Sequence, residues 1–204
     1  MHLFGKGLVF VAVLLCCKAV KQAELSKRPL NIRTVFNISQ RLWRYQQTES
    51  NVIINTETAS DLKFVQECIF IKKINISETQ FFFKEEVQLN GSKLSGYYLG
   101  EFVVKSQEPP VSMKVSELSG SDTSAFQRMK LVYSEMGCSI FKITYLNESN
   151  KEEEASGGQE CEMYFRRKNG SDQPPQECKK AFKKKCKTEG HVIFKPSCAR
   201  SKPN

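Results

Sequence analysis

The sequence predicts an all-β protein: an antiparallel barrel of eight strands with one helix near its C-terminus. Three observations carry that prediction. Short runs rich in β-branched and aromatic residues recur at regular spacing from about residue 51 to residue 167. Polar turns separate the runs, and Asn90-Gly91 is a tight-hairpin signal. One late stretch, opened by Pro174-Pro175, reads as a helix because proline suits a first helical turn. With 204 residues, 40% of them hydrophobic and 26% charged, the chain suits one folded domain with a sizeable core. That balance argues against global disorder.

Residues 1–19 read as a secretory signal. Lys6 supplies a positive start, and the apolar run Leu8–Cys17 is too short to span a bilayer. Small residues at Cys17 and Ala19 place cleavage after Ala19, with Ala23 as second choice. Cleavage removes Lys6 and Lys18 and no acid, which lowers the formal charge from +9 to +7. Residues 20–36 are basic and aperiodic and read as a loose tail, which leaves 37–204 as the folded domain. A short helical turn is expected around Ser39–Trp43. Strands are expected near 51–57, 64–74, 79–89, 96–105, 110–116, 127–134, 138–146 and 160–167, with a polar loop over 147–159. The helix runs from about Gln176 to Lys187, and a last extended piece, Val192–Lys195, leads to Cys198.

Composition narrows the chemistry. The histidines are His2 and His191, and His2 leaves with the signal. A two-histidine metal or catalytic site is thereby excluded, and the reading favours binding over catalysis, with no metal or cofactor. Cys16 and Cys17 also leave, so six cysteines remain in a secreted chain, which implies three disulfides. Spacing cannot choose among the fifteen possible pairings. Five glycosylation sequons, at Asn37, Asn75, Asn90, Asn147 and Asn169, fit the same extracellular address. No later run resembles a transmembrane helix, and no aromatic–basic interleaving points to nucleic acid. The expected product is a secreted monomer. Six lysines between Cys178 and Lys187 form either a solvated helix face or a surface for acidic glycosaminoglycan through Lys179–Lys187.

The C-terminal third carries a resemblance. Gly137-Cys138-Ser139-Ile140-Phe141 is followed by Cys161-Glu162-Met163-Tyr164, then Pro175-Gln176-Glu177-Cys178, Ala181-Phe182, Cys186 and a final strand ending at Cys198. In order and cysteine spacing this resembles the tick salivary lipocalins, the histamine-binding protein superfamily. Trp43 and the segment from Glu67-Cys68 to Lys73 agree more loosely, and the match covers about residues 37–198. The resemblance implies an eight-stranded lipocalin barrel with the C-terminal helix packed outside. It implies the pairs Cys68–Cys198 and Cys138–Cys178, which leave Cys161–Cys186. It also implies a secreted carrier that sequesters a small host mediator, either a biogenic amine such as histamine or serotonin or a lipid such as a leukotriene. The alternative is a protein-binding immunomodulator or complement inhibitor on the same scaffold.

Given that pairing, alternation along the strands orients the pocket. Cys178, Phe182 and Cys186 share one helix face. If it packs on the outer wall, Cys138 and Cys161 point outwards. Ser139, Phe141, Ile143 and Tyr145 then point in, as do Glu162, Tyr164 and Arg166. Glu162 is the expected counter-ion of an amine, with Tyr164 and Tyr145 offering ring faces. The competing reading pairs Glu162 with Arg166 or leaves it at a wet barrel mouth. Glu85 and Glu101 are further acidic candidates; Phe81, Phe83, Glu85 and Val87 share one face, as do Tyr97, Leu99, Glu101 and Val103. Trp43 either closes one barrel end, with Arg41 where the family has glycine, or touches ligand. The family's amine signature has an acid after the strand cysteine, and here that position is Ser139.

Overall fold

Strand alternation and two tight hairpins build the barrel. The computed structural model describes residues 29–55, 62–105, 107–120, 123–146, 160–168 and 170–200. In chain order these hold helix α1 (Ile32–Phe36), then strands β1 (Leu42–Gln47), β2 (Val52–Asn55), β3 (Leu62–Ile76), β4 (Gln80–Leu89) and β5 (Ser92–Phe102). They continue with β6 (Ser112–Glu117), β7 (Ala125–Glu135), β8 (Cys138–Tyr145) and β9 (Glu160–Phe165). Helix α2 (Gln176–Cys186), the short strand β10 (His191–Val192) and a 3₁₀ turn at Pro196–Ala199 complete them. The proposed signal, residues 20–28 of the proposed tail, the loop 147–159 and the sequons Asn147 and Asn169 lie outside the described residues.

Strands β3 to β9 pair in sequence order, and β1 pairs with both β9 and β3. The sheet thus closes into an antiparallel barrel of eight strands, the lipocalin arrangement. Closure removes the sheet edges that would otherwise need protection. Two reverse turns take positive φ at both central residues, the geometry that matches strand twist in a two-residue hairpin. One is Asn90-Gly91 (φ 47° and 87°), and the other is Met136-Gly137 (φ 49° and 81°).

One barrel strand differs from the sequence reading. The segment expected to make a helical turn, Ser39–Trp43, instead leads into and begins β1, and the helix lies earlier, at Ile32–Phe36. The expected strand at 51–57 appears as β2, which pairs only with β3 and is an extension outside the eight. The loose-tail reading also fails at its C-terminal end. Ile32, Val35 and Phe36, spaced i, i+3 and i+4, are all buried. Five residues make no stable helix alone, so burial holds this one. The Asn31 side chain caps it by accepting from the Arg33 amide at 3.0 Å. The Ile32 amide donates to the Pro110 carbonyl at 2.9 Å, fixing α1 across one end of the barrel.

Two apolar clusters separate inside from outside. The inner one joins α1 to Leu42, Ile71, Phe81, Phe83, Met113, Phe141 and Tyr164. Rings stack upward from the α1 end: Phe36 on Phe81 at 4.6 Å, Phe81 on Phe83 at 4.8 Å and Phe83 on Tyr98 at 5.4 Å. The outer cluster packs α2 and the C-terminal segment on the wall, joining Phe182 and Phe194 to Trp43, Tyr45, Ile140, Met163 and Phe165. Disulfides Cys138–Cys178 and Cys161–Cys186 tie both ends of α2 to β8 and β9. Cys68–Cys198 ties β3 to the last turn. Cys68 sits at a bulge with φ 54°, an irregularity that re-aims a side chain. Gly190, after α2, is the one residue type that fits there: a Cβ would meet the Gln47 carbonyl oxygen at 2.4 Å.

Candidate ligand-binding site

The barrel interior turns from apolar to charged at Arg44. Alternation along β1 buries Leu42 in the inner cluster and Trp43 in the outer one, so Arg44 faces in. On β4 the same alternation carries Phe81 and Phe83 to Glu85. In β8 and β9, Cys138, Ile140, Cys161, Met163 and Phe165 face the helix, while Phe141, Ile143 and Tyr164 face in.

Arg44 stands between the two inward carboxylates. It meets Glu162 at 2.8 Å and Glu85 at 3.0 Å. Its Nε donates to the Tyr164 hydroxyl at 3.0 Å, and Nη1 donates to Oε1 of Gln47 at 3.2 Å. Its guanidinium lies 5.5 Å from the Tyr164 ring centroid. All three guanidinium nitrogens are thus engaged, as a buried guanidinium requires.

The charges here are unbalanced. Two carboxylates share one guanidinium, and burial pushes the Glu162 carboxyl up to about 7. Arg44 and the Tyr164 hydroxyl work against that rise, and Glu85 adds to it. Burial lowers the Arg44 pKa, but Glu162, Tyr164 and Glu85 outweigh it and the net shift is upward. At the barrel end away from α1, the Tyr145 hydroxyl donates to Glu49 at 3.3 Å. Tyr145 titrates above the ordinary tyrosine range through burial and through Glu49, Glu160 and Glu162. The Glu160 carboxyl is raised by burial and by Glu49. Tyr98 is raised by burial and then by Glu85 and Glu117. Five carboxylates, one guanidinium and three tyrosines therefore form one electrostatic neighbourhood.

Of the residues singled out from sequence, the fold brings Glu162, Tyr164 and Glu85 together, with Tyr145 above them, half-exposed. Phe141 lies deeper, fully buried and stacked on Phe36 at 5.4 Å. Three expectations need correction. Glu101 is exposed and lies between Gln80 and Lys114 on the outer face. Trp43 packs outside the barrel on Phe70 at 4.8 Å and Phe194 at 5.4 Å, and closes no barrel end. The partner of Glu162 is Arg44, not Arg166.

Sequence reasoning missed Arg44, Gln47 and Tyr98. The alternation Leu42-Trp43-Arg44-Tyr45, in residues that favour strands, was the available signal for Arg44. Elsewhere, Ser139 is buried and lies 3.2 Å from Ser134, oxygen to oxygen. On α2 and at Lys187 just after it, Lys180, Lys184, Lys185 and Lys187 are exposed, while Lys183 pairs with Glu189 at 2.6 Å and Lys179 donates to Gln173. Among the described residues there is no cluster of potential metal ligands.

No family model matches this chain, and no curated protein does. Among solved structures it is similar to Japanin from Rhipicephalus appendiculatus, a structure with bound cholesterol. The two align at 9% identity with a TM-score of 0.44, over 72% of this chain and 87% of that one.

Proposed function

We propose that this chain is a secreted carrier that sequesters a small cationic amine, of the biogenic-amine class, at the end of its barrel opposite α1. The carrying observation is the charge of the mouth. On a chain of formal charge +9, Glu85, Glu160 and Glu162 gather around Arg44, with Glu49 beside Tyr145 and Glu117 beside Tyr98, and Arg44 is the one cation in this group among the described residues. An ammonium ion entering there supplies the missing positive charge and gains the ring faces of Tyr98 and Tyr145.

The stack from Phe36 to Tyr98 favours a compact ligand held near the mouth over a long acyl chain threaded to the α1 end, because the chain's own rings occupy that space. Catalysis has no part in this reading. Calorimetric titration of the oxidised, secreted protein with histamine, serotonin, a fatty acid and a sterol tests it. Saturable binding of an amine, lost when the amine is acetylated, is the expected result. Binding of only the fatty acid or sterol would overturn it.

A further inference from the structure

A concavity lies outside the barrel, on the wall formed by β1, β3, β4 and β5. It is a cleft of about 340 Å³ floored by Trp43 and Phe70. That volume is within the range of small-molecule sites, roughly 300–1,000 Å³. Its charge is opposite to that of the mouth: among the described residues, Arg41, Lys72, Lys84 and Lys93 line it against Glu86 alone.

The register shows how these cations are arranged. Leu42 pairs with Ile71 and Trp43 with Phe70, so Arg41 falls beside Lys72. Lys72 in turn lies directly opposite Lys84. Three cations thus stand in one row across three strands, with neighbours about 4.8 Å apart along the sheet. Like charges directly opposite destabilise a sheet. The one acid, Glu86, meets Lys84 at 2.7 Å and leaves Arg41 and Lys72 without a carboxylate partner among the described residues. Arg41 lies over Phe70 at 4.5 Å and over Trp43 at 5.6 Å, so its guanidinium plane is held against the aromatic floor. Val87 and Leu94 border the cleft on β4 and β5.

We propose that this outer cleft binds a small organic polyanion with a planar body, of the nucleoside polyphosphate class. The row of cations takes the phosphates, and Arg41 with the aromatic floor takes the flat ring. A monoanion would leave most of this charge unmatched. The assignment is independent of the amine reading, since the two sites use opposite faces of the wall.

Trp43 is the chain's single tryptophan and lines the cleft, so its fluorescence reports occupancy. The full secreted protein is titrated with ATP, adenosine, tripolyphosphate and a heparin oligosaccharide, with absorbance-matched controls. The expected result is a saturable, salt-sensitive change with ATP, none with adenosine, and weaker binding of tripolyphosphate. Lys72→Gln and Lys93→Gln each weaken ATP about two- to fivefold, the size of an exposed ion pair, and leave amine binding unchanged. Arg41→Lys keeps the charge and weakens ATP more than tripolyphosphate. No saturable response to ATP overturns the proposal. So does equal binding of tripolyphosphate and ATP, which means charge alone is read. A response to heparin without one to ATP assigns the row to a sulfated glycan and also overturns it.

Discussion

The Tyr164 hydroxyl donates to Glu162 at 2.9 Å while accepting from Nε of Arg44 at 3.0 Å. The two residues sit at i and i+2 on β9, where alternation puts both on the inner face. Tyr164 therefore holds the carboxylate and the guanidinium in one fixed geometry, and Glu162 keeps more of its charge than burial alone would allow.

Tyr164→Phe tests that relationship. The ring stays in the core and only the hydroxyl is lost. A hydrogen bond to a charged group is worth about 1.5–3 kcal/mol, so stability at neutral pH should fall by about that much in a urea titration. The Glu162 carboxyl should titrate still higher, because a hydrogen bond that lowers it is gone. A variant whose titration is unchanged would mean that the hydroxyl does not act on Glu162.

Arg44→Met replaces the shared cation with an apolar chain of similar length. Glu85 and Glu162 would then face each other without a counter-charge. Breaking a buried pair this way costs about 3–5 kcal/mol. The loss should be greatest at neutral and higher pH and should shrink as the pH falls below the carboxylate range, where both acids are neutral. A variant equally destabilised at all pH values would point to lost packing rather than lost charge.

How much of this was legible follows from what each signal depends on. Inward placement of Glu162 and Tyr164 followed from alternation once the resemblance had paired Cys161 with a helix packed on the outer wall; only the alternation is local. Arg44 was hidden because the helical turn expected over Ser39–Trp43 takes the first residues of β1 and no strand is expected before residue 51. Six residues, with Trp43 and Tyr45 on one side and Leu42 and Arg44 on the other, give too short a period to separate from a turn. Its strand identity comes from partners far along the chain, Ile71 and Tyr164. Helix α1 failed to show for a related reason: five residues carry little helical signal, and burial under the barrel decides their structure. Glu101 and Glu85 were equally plausible from sequence, since no cysteine fixed their parity. Pairing of Phe83 with Tyr98 and Phe81 with Gly100 sends Glu85 in and Glu101 out.

Glycosylation should follow the hydrogen bonding of the sequon side chains. Asn37, Asn75 and Asn90 are all exposed. At Asn90 the amide nitrogen, the atom that would carry the glycan, donates to the Lys63 carbonyl at 3.1 Å and holds the hairpin turn. At Asn37 and Asn75 only the side-chain oxygen is engaged, by Lys73 and by the Ile76 amide. Peptide mass spectrometry of the secreted protein should find Asn37 and Asn75 occupied more fully than Asn90. The reverse order would show that turn exposure outweighs the cost of that hydrogen bond.

Glu162→Gln joins stability, pH and ligand in one variant. In the folded protein the carboxyl titrates near 7, above its unfolded value of 4.5. The folded state therefore holds this proton more tightly than the unfolded chain does. The stability it contributes is full below pH 4.5 and is lost as the pH rises through about 7. By the size of the shift the loss is on the order of 3 kcal/mol. The glutamine does not titrate, so the variant should lack this decline and should match or exceed the wild type above pH 7 in denaturant titrations. An amine ligand has the opposite need, since it binds the ionised carboxylate. Wild-type amine affinity should rise from pH 5 to pH 8, and binding near pH 7 should release protons, seen as a heat that changes with the buffer's ionisation enthalpy. In Glu162→Gln the rise and the proton release should vanish and affinity should fall about 10- to 100-fold, the worth of one buried charge-assisted hydrogen bond. Proton release that persists in the variant would assign the titration to Glu160 or Glu85 and move the ammonium away from Glu162.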